Sequence, residues 1–349
     1  MGQGHSIISV TSPFPDHGVI PLESSQSFLS FATVLRQPCP LMMTQSPQVD
    51  AMTPTAPLAK SPAEAGLSQI RWLDLLTGIG RDHGFFERIS IDHLAMFVQE
   101  NDTLLVSFDS AARVYAEEPE GFPLGFEMVQ KRSWSLLSIL SLRDPWFRST
   151  DLIAFFDTLD HAGFFDSFAQ VIFLGFGPAN GHAACAYSAA APGASVLASA
   201  PAATLDPDLV GLARDGRRDF RRYGDAPHLI GAARDAVILF DPIDAASCAH
   251  VSQFRAPHVT RAPLRFVGPA PHRLIRSGAL LVPLLRALGN GRLSRSRVTD
   301  AIRPVRRRDP AYLWRLVQIA QARGQAGRAR RIAQYAHDMT GDPRFIPNA

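Results

Sequence analysis

The sequence predicts an α/β protein: a mostly parallel sheet with helices on both faces, followed by a C-terminal helical hairpin. Three observations predict it. Short apolar runs recur between Thr103 and Val267, each separated from the next by a stretch long enough for a helix. Residues 167–205 hold no Asp, Glu, Lys or Arg over 39 positions, as a strand–helix–strand unit buried at the centre of a sheet requires. Beyond residue 310 the apolar residues change to a helical spacing, with Leu313, Leu316, Val317 and Ala320, then Ala329, Ile332, Ala333 and Ala336.

Taken in order, residues 1–65 are rich in Ser, Pro, Gln and Thr without an apolar period and read as a disordered leader. Ile70, Leu73, Leu76 and Ile79 then fall at helical spacing, with a second helical turn expected around Phe85–Ile89. Strands are expected at Thr103–Phe108, Trp134–Leu140, Val171–Phe176, Ser195–Ala200, Ala236–Phe240 and Leu264–Val267. Asp151–His161 reads as a helix with its acidic residue in the first turn, where the dipole favours it. Leu280–Leu288 reads as another helix. The uncharged 39 residues are long enough to cross a membrane, but Pro178, Pro192 and Pro201 divide them and Asn180, His182, Ser188 and Ser195 lie within, so no membrane span is expected. The organisation expected is a leader at 1–65, an α/β domain at 66–290 and a basic helical tail at 291–349. The tail's hairpin, joined at Gly324–Gly327, resembles a single tetratricopeptide-type unit.

Composition excludes several classes. With 46% hydrophobic and 19% charged residues, the chain is neither disordered nor a membrane protein. Its net charge of +3 conceals a division: residues 1–200 carry 10 cations and 20 acids, whereas residues 201–349 carry 25 and 12. Residues 250–349 alone hold 19 Arg against 4 Asp, which points to an anionic partner for that end. Cys39, Cys185 and Cys248 lie far apart with no metal-ligand spacing, so neither a disulfide framework, a metal nor a cofactor is expected, and a reducing, cytoplasmic compartment is. The apolar octet Phe28–Leu35 lacks a basic segment before it, unlike a secretory signal. The opening Met1-Gly2-Gln3-Gly4-His5-Ser6 fits the short myristoylation pattern and equally a chance match.

The segment Val171-Ile172-Phe173-Leu174-Gly175-Phe176-Gly177-Pro178-Ala179-Asn180-Gly181-His182 resembles the strand–elbow–helix of the α/β-hydrolase fold. In that fold a G-x-S-x-G turn presents a nucleophilic serine. The register Gly177-x-Ala179-x-Gly181 puts Ala179 in the nucleophile's place, and the register Gly175-x-Gly177-x-Ala179 puts Gly177 there. Neither supplies a hydroxyl or thiol. The resemblance implies an acid after a late strand and a histidine after the last one, and Asp241 and His272 stand in that order; ordinary turn residues are the alternative. His182, at the start of the elbow helix, is a candidate acid/base or anion-binding residue beside Arg143 and Arg148, or simply a helix-start residue bonded to a neighbouring loop. Cys185, in an Ala-rich helix, reads as a small core residue, and Asp109 falls on the crevice side.

The stretches FVQENDTLLVSFDSAARVYAEEPEG, HAACAYSAAAPGASVLASAPAATLDP and TGDPRF also resemble alphaproteobacterial chains that carry the label phosphoadenosine phosphosulfate reductase. That family implies an S-G-G-x-D-S-type phosphate loop and a redox cysteine near the C-terminus. The sequence has no such loop and no Cys after Cys248, so the label is expected without the activity. Three functions follow as expectations: a non-hydrolytic binding or interaction protein for an anionic small molecule, acidic protein or surface polysaccharide; an enzyme acting on an anionic substrate through His182 and Asp241; or nucleic-acid binding by the Arg-rich tail. The oligomeric state is left open.

Overall fold

The computed structural model describes residues 60–143, 146–204, 222–277 and 279–346. Of the leader expected at 1–65, residues 1–59, Cys39 among them, lie outside the described residues; residues 60–65 are not disordered but lead into a turn that packs on the domain, with Ser61 only 3% exposed and the Ala63 amide donating to the Tyr115 carbonyl at 3.2 Å.

The chain begins with helix α1 (Gln69–His83), capped by Ser68, whose hydroxyl accepts from the Arg71 amide. Its buried stripe is Trp72, Leu76 and Gly80, whereas Ile70 is 62% exposed. The expected Ile70–Ile79 face is therefore rotated. Gly80 sets the register, because a Cβ there would stand 2.7 Å from the Phe85 backbone. Residues around Phe85 form strand β1 (Gly84–Arg88), not a helical turn: they pair antiparallel with β2 (His93–Val98), a strand the apolar pattern did not single out.

Then come β3 (Thr103–Ser110), α2 (Ala111–Glu117), α3 (Phe126–Arg132), β4 (Ser135–Ser141), α4 (Thr150–His161), β5 (Gln170–Phe176) and α5 (Pro178–Tyr187). They are followed by β6 (Ser195–Ser199), α6 (Ala226–Leu229), β7 (Asp235–Phe240), α7 (Ala245–Val251), β8 (Val259–Pro263), α8 (His272–Ser277) and α9 (Leu281–Gly289). The eight strands make one sheet in the order β1-β2-β4-β3-β5-β6-β7-β8. From β4 to β8 every neighbouring pair is parallel, while β2 runs antiparallel to both of its neighbours. The expected last strand Leu264–Val267 is instead the turn after β8: Phe266 has a φ of 69°, and the edge strand is the less apolar Val259–Pro263.

Alternation along the strands sends side chains to two cores. On one face Phe108, Phe156, Phe173 and Tyr187 pack under α4, α5 and α6. On the other, Trp72, Leu105, Leu174, Leu197 and Leu285 pack under α1, α2, α3, α8 and α9. The architecture is α/β-hydrolase-like, with C-terminal helices, and the uncharged 39 residues supply β5, α5 and β6 at its centre. No helix among the described residues is long and apolar enough to cross a membrane.

Three further helices close the chain: α10 (Arg295–Arg306), α11 (Pro310–Ala322) and α12 (Ala326–Thr340). Helix α10 places Val298 and Ile302 in the second core, and α11 and α12 pair around their own small core of Leu313, Val317, Ala329 and Ala336.

Candidate functional site

The carboxyl ends of the parallel strands are where ligand chemistry is expected in such a sheet. At the end of β5 the chain turns into α5 through Gly177, with φ 93° and ψ 177°. Pro178 is the first residue of α5, where its fixed φ suits the helix and its missing N–H costs nothing. The turn therefore falls on Gly177, and Ala179 sits within the first helical turn. Of the two registers, Gly175-x-Gly177-x-Ala179 is the one the backbone adopts. The flanking glycines explain themselves sterically. A Cβ on Gly175 would lie 1.9 Å from the Asn180 carbonyl oxygen, and one on Gly181 would lie 3.0 Å from Pro201. A Cβ on Gly177 would meet nothing within 4 Å. The elbow has space for a side chain and has none.

His272 opens α8 and lies beside this elbow. Its ring stacks on Phe176, with centroids 5.3 Å apart, and its Nδ1 is 3.3 Å from the Ser199 hydroxyl at the end of β6. Burial, reinforced by the nearby Arg113 guanidinium, pushes His272 down to about 4, so it is neutral at pH 7; Asp109 opposes that shift and Arg273 adds to it. Asp241 does not pair with it. The Asp241 carboxylate accepts instead from the Ile243 amide at 2.9 Å and the Gly268 amide at 2.7 Å, tying the loop after β7 to the loop after β8. The acid and the histidine expected in hydrolase order are both present, and the acid is used as a loop clamp.

A second set of charges closes this edge, built on Asp109, which was expected on the crevice side, and on three partners the sequence had not singled out, Arg113, Glu118 and Arg276. Asp109, at the end of β3 and 1% exposed, accepts from the Arg113 Nε at 2.8 Å and from the Ser110 and Leu124 amides. Arg113 also pairs with Glu118, which pairs with Arg276 one turn beyond His272 on α8. Burial is the main cause that pushes Arg276 down to about 10, with Arg113 adding to it. The spacing of Asp109 and Arg113, four residues apart at a strand–helix junction, was a usable signal. The Glu118–Arg276 link had none, because 157 residues separate its ends.

The remaining candidates lie elsewhere. His182 is buried in α5, with Nδ1 3.1 Å from the Ala202 carbonyl, which requires the proton on that nitrogen. Arg148 is buried and donates to the Arg222 carbonyl at 3.0 Å, while Arg143 is exposed in the loop after β4. Cys185 is fully buried and its thiol is pushed up by that burial. No three His, Cys, Asp or Glu side chains among the described residues converge as metal ligands.

No family model matches the chain, and no curated protein matches it either, so the phosphoadenosine phosphosulfate reductase resemblance finds no support. Solved structures match in outline. A capsule O-acetyltransferase of Neisseria meningitidis serogroup A is 10% identical, with a TM-score of 0.36 over 54% of this chain and 91% of that one. The Glycosylation Associate Protein (Gap123) complex of Streptococcus agalactiae is 16% identical, with a TM-score of 0.38 over 58% of this chain and 45% of that one. Est1E from Butyrivibrio proteoclasticus is 14% identical, with a TM-score of 0.35 over 58% of this chain and 96% of that one.

Proposed function

We propose that this chain is a non-hydrolytic α/β-hydrolase-like protein that works by binding, its basic end taking an anionic or acidic partner. The observation that carries this reading is Gly177 at the tip of the elbow. Acyl transfer through that turn needs an attacking hydroxyl or thiol, and the residue there has no side chain. Two further observations support it. Asp241 is committed to two backbone amides and does not orient His272. The crevice edge is cross-linked by Asp109, Arg113, Glu118 and Arg276, so its charges neutralise one another instead of facing a substrate. The alternative enzymatic role of His182 with Asp241 is less well supported, since each is held by backbone groups of a different loop.

The test is turnover of p-nitrophenyl acetate by the full chain, beside its His272→Ala variant. The expected rate is that of buffer for both proteins. Turnover by the parent chain that His272→Ala abolishes overturns the reading.

A further inference from the structure

The tail carries a feature that the sheet edge lacks: positive charge with nothing opposite it. A groove of about 660 Å³ runs between the end of α10, α11 and α12. Its rim holds Arg306, Arg307, Arg328 and Arg331. Its floor is apolar, made by Leu313, Leu316 and Ile332. Tyr335 on the same wall is 43% exposed, and Met339, one helical turn further along α12, is 41% exposed, so the apolar stripe continues past the groove on that helix face.

The acids within reach are already engaged. Residues 250–349 contain four, Asp300, Asp309, Asp338 and Asp342. Asp300 pairs with Arg303 at 3.3 Å. Asp309 caps α11 through the Tyr312 amide and faces Arg273 at 3.7 Å. Asp338 accepts from Gln334, and Asp342 from Arg344. Among the described residues none of the four rim arginines lies within ion-pair distance of a carboxylate. Arg306 rests on the Tyr312 ring at 5.8 Å, and Arg328 reaches only the Gln325 side chain.

We infer that this groove binds an acidic amphipathic segment of a partner protein, its apolar side chains on Leu313, Leu316 and Ile332 and its carboxylates on the four arginines. The inference rests on the binding role proposed above and names the partner's chemistry. Charge selects an anion, and the floor selects among anions. A nucleic acid or charged polysaccharide has no row of aliphatic side chains to cover the half-buried Leu316 and Ile332 and the exposed Met339 beside them, and the Tyr312 ring is already covered by Arg306. A helix with Leu at i, i+3, i+4 and i+7 and Glu between supplies both components.

The experiment uses the full chain and a fluorescein-labelled peptide of about 18 residues, enough for five helical turns, with that Leu/Glu pattern. The controls are a scrambled peptide of equal composition, poly-Glu, and a single-stranded oligodeoxynucleotide of equal length. Anisotropy should show the patterned peptide binding best, and more weakly as salt rises. Replacing Arg306, Arg307, Arg328 and Arg331 together by Gln should weaken it by about tenfold or more, and Leu316→Asp by a similar factor. Should the fourfold variant lose helicity by circular dichroism, Arg331→Gln alone should still weaken binding by about threefold. Unchanged binding by these variants overturns the inference. So does an equal or tighter interaction with poly-Glu or the oligonucleotide that ignores Leu316→Asp. Self-association of the peptide-free chain that the fourfold variant abolishes would place a second copy in the groove and equally overturn it. Ester turnover dependent on His272 would sink the binding role without touching the peptide result, so the two failures can be told apart.

Discussion

The two charged regions of the molecule handle their charges in opposite ways. At the carboxyl edge of the sheet, Asp109, Arg113, Glu118 and Arg276 form a chain of paired ions between β3, α2 and α8. In the tail groove, Arg307, Arg328 and Arg331 are exposed and the half-buried Arg306 lies on the Tyr312 ring, and among the described residues no carboxylate stands beside any of the four. Paired and partly buried ions hold a structure together but offer little to a ligand, because a newcomer must displace a partner that is already well placed. Unpaired exposed ions contribute little to folding and are free to recruit a counter-charge. On the proposed reading the paired edge serves to hold the fold, and the tail is where binding is to be tested.

The comparison breaks most visibly at Arg113. Arg113→Leu leaves the Asp109 carboxylate, which is 1% exposed, without a counter-charge and held only by the Ser110 and Leu124 amides, and should cost about 3–5 kcal/mol in urea unfolding, the range for breaking a buried pair by removing one partner. The Asp109→Leu/Arg113→Leu double variant should recover most of that loss, since it leaves no unpaired charge at the end of β3. A loss below about 1 kcal/mol in the single variant would show that the edge charges are as loosely held as those of the tail.

A somewhat smaller effect is expected from His272. Its folded-state value is about 4 against an ordinary 6.5, so the unfolded chain takes up the proton first as pH falls. The native state keeps its full advantage above pH 6.5 and loses it progressively down to about 4, below which this group contributes no further change. The loss reaches up to about 3 kcal/mol. Unfolding followed between pH 7 and 4 should be steeper for the parent chain than for His272→Gln, and identical slopes would contradict the buried, neutral histidine.

The smallest effect belongs to the tail. The fourfold Arg→Gln variant of the groove should melt within about 2 °C of the parent chain, because no carboxylate partner is lost and the contacts of Arg306 with Tyr312 and of Arg328 with Gln325 are at the surface. A drop comparable with that of Arg113→Leu would mean that these arginines are structural.

What could be read in advance divides along similar lines. The central strands β3 to β7 are short apolar runs, because each is covered on both faces, and they were legible for that reason. The edges were not. β1 follows α1 with no intervening residue, so Phe85 and Phe86 continue its apolar period; β8 carries Arg261 and Pro263 because it lies at the sheet's margin. The apolar Leu264–Val267 mimicked a strand, yet lies in a turn where Leu264 donates to the Phe240 carbonyl. At the site, the glycines of the elbow were legible, and Pro178 at the helix start was the residue that could decide between their two registers. The partners of Asp241 and Glu118 were not legible, since backbone amides and a residue 158 positions away from Glu118 leave no local pattern.

The central claim is that neither the elbow nor the crevice beside it holds an attacking group. It is tested most directly by exposing the full chain to a fluorophosphonate probe and measuring its intact mass. The account predicts an unmodified protein. A stoichiometric adduct mapped to Ser199, the hydroxyl that His272 faces, would contradict it.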